Sequence, residues 1–369
     1  MNKREKIVQA DFLGKEANIL KQLKQVYNRA LKDIEAETKA LSDQINALQG
    51  DISASDNPEE QAVLKSMLQS KVYQKQYQDA LKSQVGSILA KMHVEEFKSV
   101  SEYLFQCYEL GFLGALYDLH GQGIPLVFPI DQESIVRAVV LDSKISAGLY
   151  TRLGQDVSVM KKKISNSISR GIATGRSWGE MAQELDKISN IGFNNAVRIT
   201  CTEGHRIQNQ ASFDAGMKAI ERGADLVKVW DATLDGLTRA SHRHVDGEVR
   251  EMDEKFSNGL MLPLDPNAPA SEVVQCRCVL LEKSRSELKE GFTKRNNFTG
   301  ELEEFESPEA YEEFKKSFFS EDNVKYMKYV AEKEEKYTTY NRKALLQKMS
   351  PREQEHYYKL LENSPMYSK

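Results

Sequence analysis

KVWDATLDGLTRASHRHVDGEV, residues 228–249, and VVQCRCVLL, residues 273–281, decide the fold class of this 369-residue chain. The stretch LVKVWDATLD (226–235) alternates as a strand does, GEVREM (247–252) reads as a second strand, and CRCVLLE (276–282) as a third. Between the last two lies SNGLMLPLDPNAPA (257–270), whose glycine and prolines mark a loop long enough to reach across a small sheet. The texture on either side is different. Upstream, a helix runs from about Asn194 and ends at Gly223, a residue type that commonly terminates helices.

Working outward, three helices are expected over 132–150, 155–173 and Trp178–Leu185. Ser177 caps the last, with Glu180 at the capping-box position. Further upstream, 12–50 reads as one long helix, where Ile19, Leu23 and Val26, then Leu41, Ile45 and Leu48, make the narrow 4-3 seam typical of a helical hairpin or short coiled coil. GDISASDNPEE (50–60) breaks it, and Pro58 opens a second long helix with Leu81, Val85, Ile88 and Met92 on the same spacing. Aromatic-rich helix continues over 98–119, and GQGIPLVFPID (121–131) is a loop. Downstream, GFTKRNNFTGELEE (291–304) reads as linker, and Ser307-Pro308 and Ser350-Pro351 open two more helices.

The expected architecture is therefore α+β and predominantly helical. It comprises an N-terminal helical arm or hairpin (1–120), a central helical body with a small β-sheet module (130–282), a linker (283–306) and a C-terminal helical extension (307–369). The extension's aromatics, among them Tyr311, Phe314, Phe318, Phe319, Tyr326, Tyr357 and Tyr358, call for a packing partner, within the chain or on another subunit.

Composition narrows the function classes. Hydrophobic residues are 40% and charged residues 29%, with no apolar run of membrane-spanning length and no apolar leader at the N-terminus, so a cytosolic birth is expected. Four cysteines are too few for a disulfide scaffold. The net charge of −4 argues against a general nucleic-acid coat. Charge is uneven, however: residues 131–230 carry 14 basic and 11 acidic side chains, whereas 231–282 carry 5 and 10. A polyanion contact belongs on Lys161, Lys162, Lys163, Arg170 and Arg176, against the plainer reading of a solvated helix face.

The chemistry-bearing residues cluster in the sheet module. His242, His244, Cys276 and Cys278 are of the type that binds zinc, and two cysteines at i and i+2 on an extended strand present both sulfurs on one face. The alternative is that the cysteines are small buried apolar residues. Asp231, Asp235, Asp246 and Glu248 offer hard oxygen ligands for a divalent cation, or else pair with nearby arginines. Cys201 and His205 lie one helical turn apart, with no third group to orient the histidine. There is no phosphate-binding glycine loop.

RITCTEGHRIQNQASFDAG (198–216), the 228–249 stretch and VVQCRCVLL together resemble the Mu-F/SPP1-type minor head protein family of tailed bacteriophages. The matching positions are Thr202, Glu203, Arg206, Trp230, Asp231, Thr238, Arg239, His242, Asp246, Gly247, Pro263, Cys276, Arg277 and Cys278. The resemblance implies a structural head protein, not an enzyme, incorporated during prohead assembly. Its implied partners are the portal protein, scaffold and major capsid proteins, and double-stranded DNA during packaging or ejection; a membrane is not among them. It places the chain in the virion, inside the capsid near the portal. Some members look more metal-like, with a C-x2-C pair before the Asp-Gly; here position 239 is Arg and position 273 is Val, which reduces the ligand set. The competing expectation is a metal-dependent nuclease or toxin-type module. On the residues alone, Arg277 is expected to fork onto Asp246 or Asp231, and Glu203 and Arg206 to pair with each other or with Arg239 or Asp231.

Overall fold

The computed structural model describes residues 3–54, 57–69, 71–124, 149–174, 176, 178–289, 292–299 and 301–337. The expected helices over 132–150 and after Ser350-Pro351, and the Ser177 cap, lie outside the described residues. Among the described residues five helices precede the sheet: α1 (Lys3–Ala54), α2 (Pro58–Gln69), α3 (Lys71–Gly121), α4 (Leu149–Ala173) and α5 (Trp178–Ile220). Then follow β1 (Leu226–Asp231), α6 (Ala240–His244), β2 (Val249–Glu251), α7 (Ala270–Val273), β3 (Val279–Ser284), β4 (Phe292–Arg295), β5 (Leu302–Phe305), α8 (Pro308–Phe318) and α9 (Glu321–Tyr337). The chain is α+β and predominantly helical, as its periodicities indicate.

The chain divides into two compact units, one of Leu13–Phe105 with Ile145–Glu203, the other of Met1–Phe12, Gln106–Lys144 and Gly204–Lys369. The first is helical. Ile19, Leu23, Val26, Ala30 and Ile34 of α1 are buried, as are Val85, Leu89, Met92 and Val100 of α3. Tyr27 Oη donates to Glu96 at 2.8 Å and Arg29 reaches Glu95 at 3.0 Å, so within this unit the two helices run antiparallel. The pair does not stand alone. Leu153, Val157, Met160, Ile164 and Ile168 give α4 a buried stripe, and Phe193 of α5 meets Tyr27 edge-on at 5.7 Å. Two helices were expected here, Trp178–Leu185 and one from about Asn194, but α5 continues unbroken through Gly192. A single glycine costs only about 1 kcal/mol in a helix, and this one leaves room where a Cβ would press on Met160 and Tyr27.

The second unit holds the sheet. Its three strands are antiparallel in the order β2-β1-β3, with Trp230 opposite Leu280 and Val229 opposite Val249. The Gly204–Ile220 part of α5 packs on β3 through Asn209. Its side-chain amide donates to the Cys278 carbonyl at 3.2 Å and accepts from the Leu280 amide at 2.6 Å. The loop after β2 buries Phe256, Leu260, Leu262 and Leu264. Lys228 on β1 anchors it by donating to the carbonyls of Met252 at 3.0 Å and Met261 at 2.8 Å.

The segment expected to be a linker, 283–306, is folded. It completes β3 and then forms the β4–β5 hairpin, with Phe292 opposite Phe305. Its polar composition misleads because a charged residue of β4, Lys294, turns inward and is buried. Leu234, Phe305, Tyr311, Phe318, Val324 and Met327 form one apolar cluster, flanked by Phe292, Phe298, Phe314 and Phe319. The described aromatics of the C-terminal region therefore pack within this chain; Tyr357 and Tyr358 lie outside the described residues.

Candidate functional site

Two buried polar constellations lie side by side in the sheet module. The first is built from α6 and the extended turn before β3. Gln275 adopts a left-handed φ of 56°, which redirects the chain out of α7, and three residues then lead into β3. Alternation then turns Cys276 and Cys278 inward and leaves Arg277 exposed. Both Sγ atoms lie 3.4 Å from Nδ1 of His242. The other ring nitrogen, Nε2, faces the Glu272 carboxylate at 3.0 Å, and Ser241 also donates to that carboxylate at 2.9 Å. Trp230 closes the cluster, its ring edge-to-face with His242 at 5.1 Å. The hydrogen bond to Cys278 draws the Cys276 thiol well below its ordinary range, while burial pushes Cys278 well above it.

Among the described residues these three are the one group of side chains whose ligand atoms converge as a metal would require, all within 4.8 Å of one another. His244 is not part of it. The histidines were expected to share a face if extended, but they lie on a helix, where residues two apart point in nearly opposite directions. His242 is 1% exposed, and His244 is on the surface.

The second constellation surrounds Asp246. Its Oδ1 accepts from the Ala232 amide at 2.8 Å and from Lys294 Nζ at 2.5 Å, and Lys294 also reaches Asp231 at 2.8 Å. Tyr311 donates its hydroxyl to the other Asp246 oxygen, and Lys315 donates to the Asp246 backbone carbonyl. Burial pushes Asp246 up. For Asp231 burial acts the same way, but the surrounding positive charges, the Lys294 ammonium foremost, together reverse it and hold the carboxyl below its usual range. Lys294, Tyr311 and Lys315 come from the region read as linker and extension; no sequence signal marked them.

The remaining expected residues serve local structure. Arg277 does fork onto a carboxylate, but onto Asp235, at 2.6 and 2.9 Å, because Asp231 and Asp246 are taken by Lys294. Thr238 donates to the Thr233 carbonyl at 2.6 Å, and Arg239 reaches the Val274 carbonyl at 2.5 Å. Gly247 takes a φ of 81°, beneath the Tyr311 ring. Thr202 bonds the Arg198 carbonyl of its own helix at 2.7 Å, and Glu203 and Arg206 are buried. Glu248 holds Arg250 at 2.5 Å and Ser257 at 2.6 Å. The four carboxylates weighed as cation ligands thus all engage positively charged side chains. Burial pushes the Cys201 thiol up to about 12, which leaves it a poor nucleophile. On α4, Lys161, Lys162, Lys163 and Arg170 are exposed; Arg176 is exposed and paired with Glu184 at 2.8 Å.

Residues 162–281 match the family model described as Phage Mu protein F like protein. A 234-residue stretch is 27% identical to an NAD(+)--arginine ADP-ribosyltransferase, EFV, of Enterococcus faecalis, covering 61% of this chain and 46% of that protein. A 189-residue stretch is 26% identical to the minor head protein GP7 of Bacillus phage SPP1, covering 50% of this chain and 58% of that protein. The chain spans about half the length of these curated relatives. No solved structure matches it.

Proposed function

We infer, from the match of residues 162–281 to the Phage Mu F-like family model, that the chain is a minor head protein of a tailed bacteriophage. In this reading it is incorporated into the prohead through the portal protein and lies inside the capsid, with scaffold and major capsid proteins as neighbours. The observation that carries the reading is how the motif residues are used. Trp230, Asp231, Thr238, Asp246, Gly247 and Arg277 hold one loop-and-strand unit together, as a part that must dock in a single geometry requires. The match to a minor head protein of phage SPP1 supports it. Quantitative mass spectrometry of purified proheads and virions, made with and without portal, tests it. The chain is expected in both particles and depleted when portal is missing; absence from both overturns the assignment.

Contact with packaged DNA is the finer part of the proposal. The exposed cations Lys161, Lys162, Lys163 and Arg170 lie along one helix and supply the charge. Affinity for duplex DNA is expected to fall steeply with salt, and replacing the three lysines with glutamine should weaken binding uniformly across sequences. Retention that ignores salt, or no retention at low salt, counts against it.

An enzymatic reading has one observation in its favour, the resemblance to a protein named as an ADP-ribosyltransferase. More than half of that protein lies outside the match, so the named activity need not reside in the shared part. Incubation with NAD+, and separately with DNA and magnesium, is expected to give no turnover; turnover lost on changing Asp231 or His242 would favour the enzyme.

A further inference from the structure

We propose that Cys276, Cys278 and His242 bind one zinc ion. Three features of the cluster carry this. The first is geometry. Zinc–sulfur bonds of about 2.3 Å and zinc–nitrogen bonds of about 2.0–2.1 Å at tetrahedral angles place sulfur and nitrogen roughly 3.6 Å apart. His242 Nδ1 lies 3.4 Å from each of the two sulfurs, and the three atoms fall within 4.8 Å of one another.

The second feature is the tautomer. The Glu272 carboxylate at Nε2 is an acceptor, so the ring proton sits on Nε2, and Nδ1 carries the lone pair. One lone pair accepts a single S–H, yet two sulfurs stand at equal distance from it. A cation in the middle engages all three atoms at once. A carboxylate behind a ligating histidine is the usual outer support of such a site, and Ser241 holds that carboxylate in place.

The third feature is position. The ligands are 34 and 36 residues apart in sequence, on α6 and on the lead-in to β3. A metal there cross-links the two ends of the excursion that carries β2 and the long loop. The ligand set is nearly solvent-free, at 1 to 3% exposure. That burial suits a structural ion. Thiolate and imidazole donors select zinc over magnesium or calcium.

The test uses the full chain purified from zinc-replete cells. Elemental analysis is expected to give about one zinc per chain, and cobalt exchanged into the site should show thiolate-to-metal charge-transfer absorption. Cys276→Ser, Cys278→Ser and His242→Asn should lose the metal, Cys201→Ser should keep it, and Glu272→Gln should weaken affinity about 10- to 100-fold. Should the ligand variants fail to fold, the cobalt spectrum of the unaltered chain decides, since its band requires bound thiolates. A folded chain with no stoichiometric zinc and no cobalt band overturns the proposal. So does metal retained in both cysteine variants.

Discussion

Lys294 Nζ lies 2.5 Å from Asp246 Oδ1, a pair drawn from positions 48 apart and closed to solvent on both sides. The same ammonium holds Asp231 at 2.8 Å. One cation thus balances a buried and a partly buried carboxylate, and it comes from a hairpin that lies outside the three-stranded sheet. Removing one partner of such a set leaves uncompensated buried charge, which costs about 3–5 kcal/mol. Lys294→Met is expected to destabilise by that amount in urea unfolding. Combining it with Asp231→Asn and Asp246→Asn should recover part of the loss; an additive triple variant would contradict the coupling.

The C-terminal region is expected to be part of the fold and not an appendage. A chain ending at Lys289 lacks Lys294, Tyr311 and Lys315, and so strips Asp246 of three of its partners. It should be poorly soluble or melt well below the full chain. A truncated protein with an unchanged melting temperature would show that the hairpin and α8 are dispensable.

Asn209 should behave as a structural pin. Its amide satisfies the Cys278 carbonyl and the Leu280 amide, both at the start of β3. Asn209→Ala orphans these groups at about 1–3 kcal/mol each. Hydrogen exchange at Leu280 should speed up markedly in the variant, and exchange at the wild-type rate would refute the assignment.

Glu282 makes stability depend on pH. Burial pushes its carboxyl up to about 8, only partly offset by the Ser212 hydroxyl at 3.1 Å. A carboxyl raised on folding binds more protons folded than unfolded, so stability is full below its unfolded value near 4.5 and falls as pH rises toward 8. Glu282→Gln removes the titration. Between pH 5 and about 8, its melting temperature should decline less than that of the unaltered chain; parallel curves would rule out Glu282 as the source.

Local pattern carried much of this protein. The 4-3 spacing of Ile19, Leu23 and Val26, the alternation through Trp230, and Pro308 after Ser307 each specify an element through rules acting over a few residues. The ordered run from Thr202 to Cys278 carries the resemblance to the Phage Mu F-like family, because residue types at fixed spacing survive in one dimension. The inward pairing of Cys276 and Cys278 was legible from the alternation a strand would give, although β3 itself begins only at Val279.

The tertiary structure decided what depends on distant partners or on which local state wins. His242 enters the cluster and His244 does not because the segment is helical, and that choice is made by packing against Trp230. Arg277 finds Asp235 because Lys294 reaches Asp231 and Asp246 first. The residues at 283–306 look like linker because their buried face is a lysine, whose place inside makes sense only beside two carboxylates some 50 and 60 positions earlier. Sequence fixes short-range backbone preference, but a buried charge is legible only with its counter-charge, and the fold alone brings the two together.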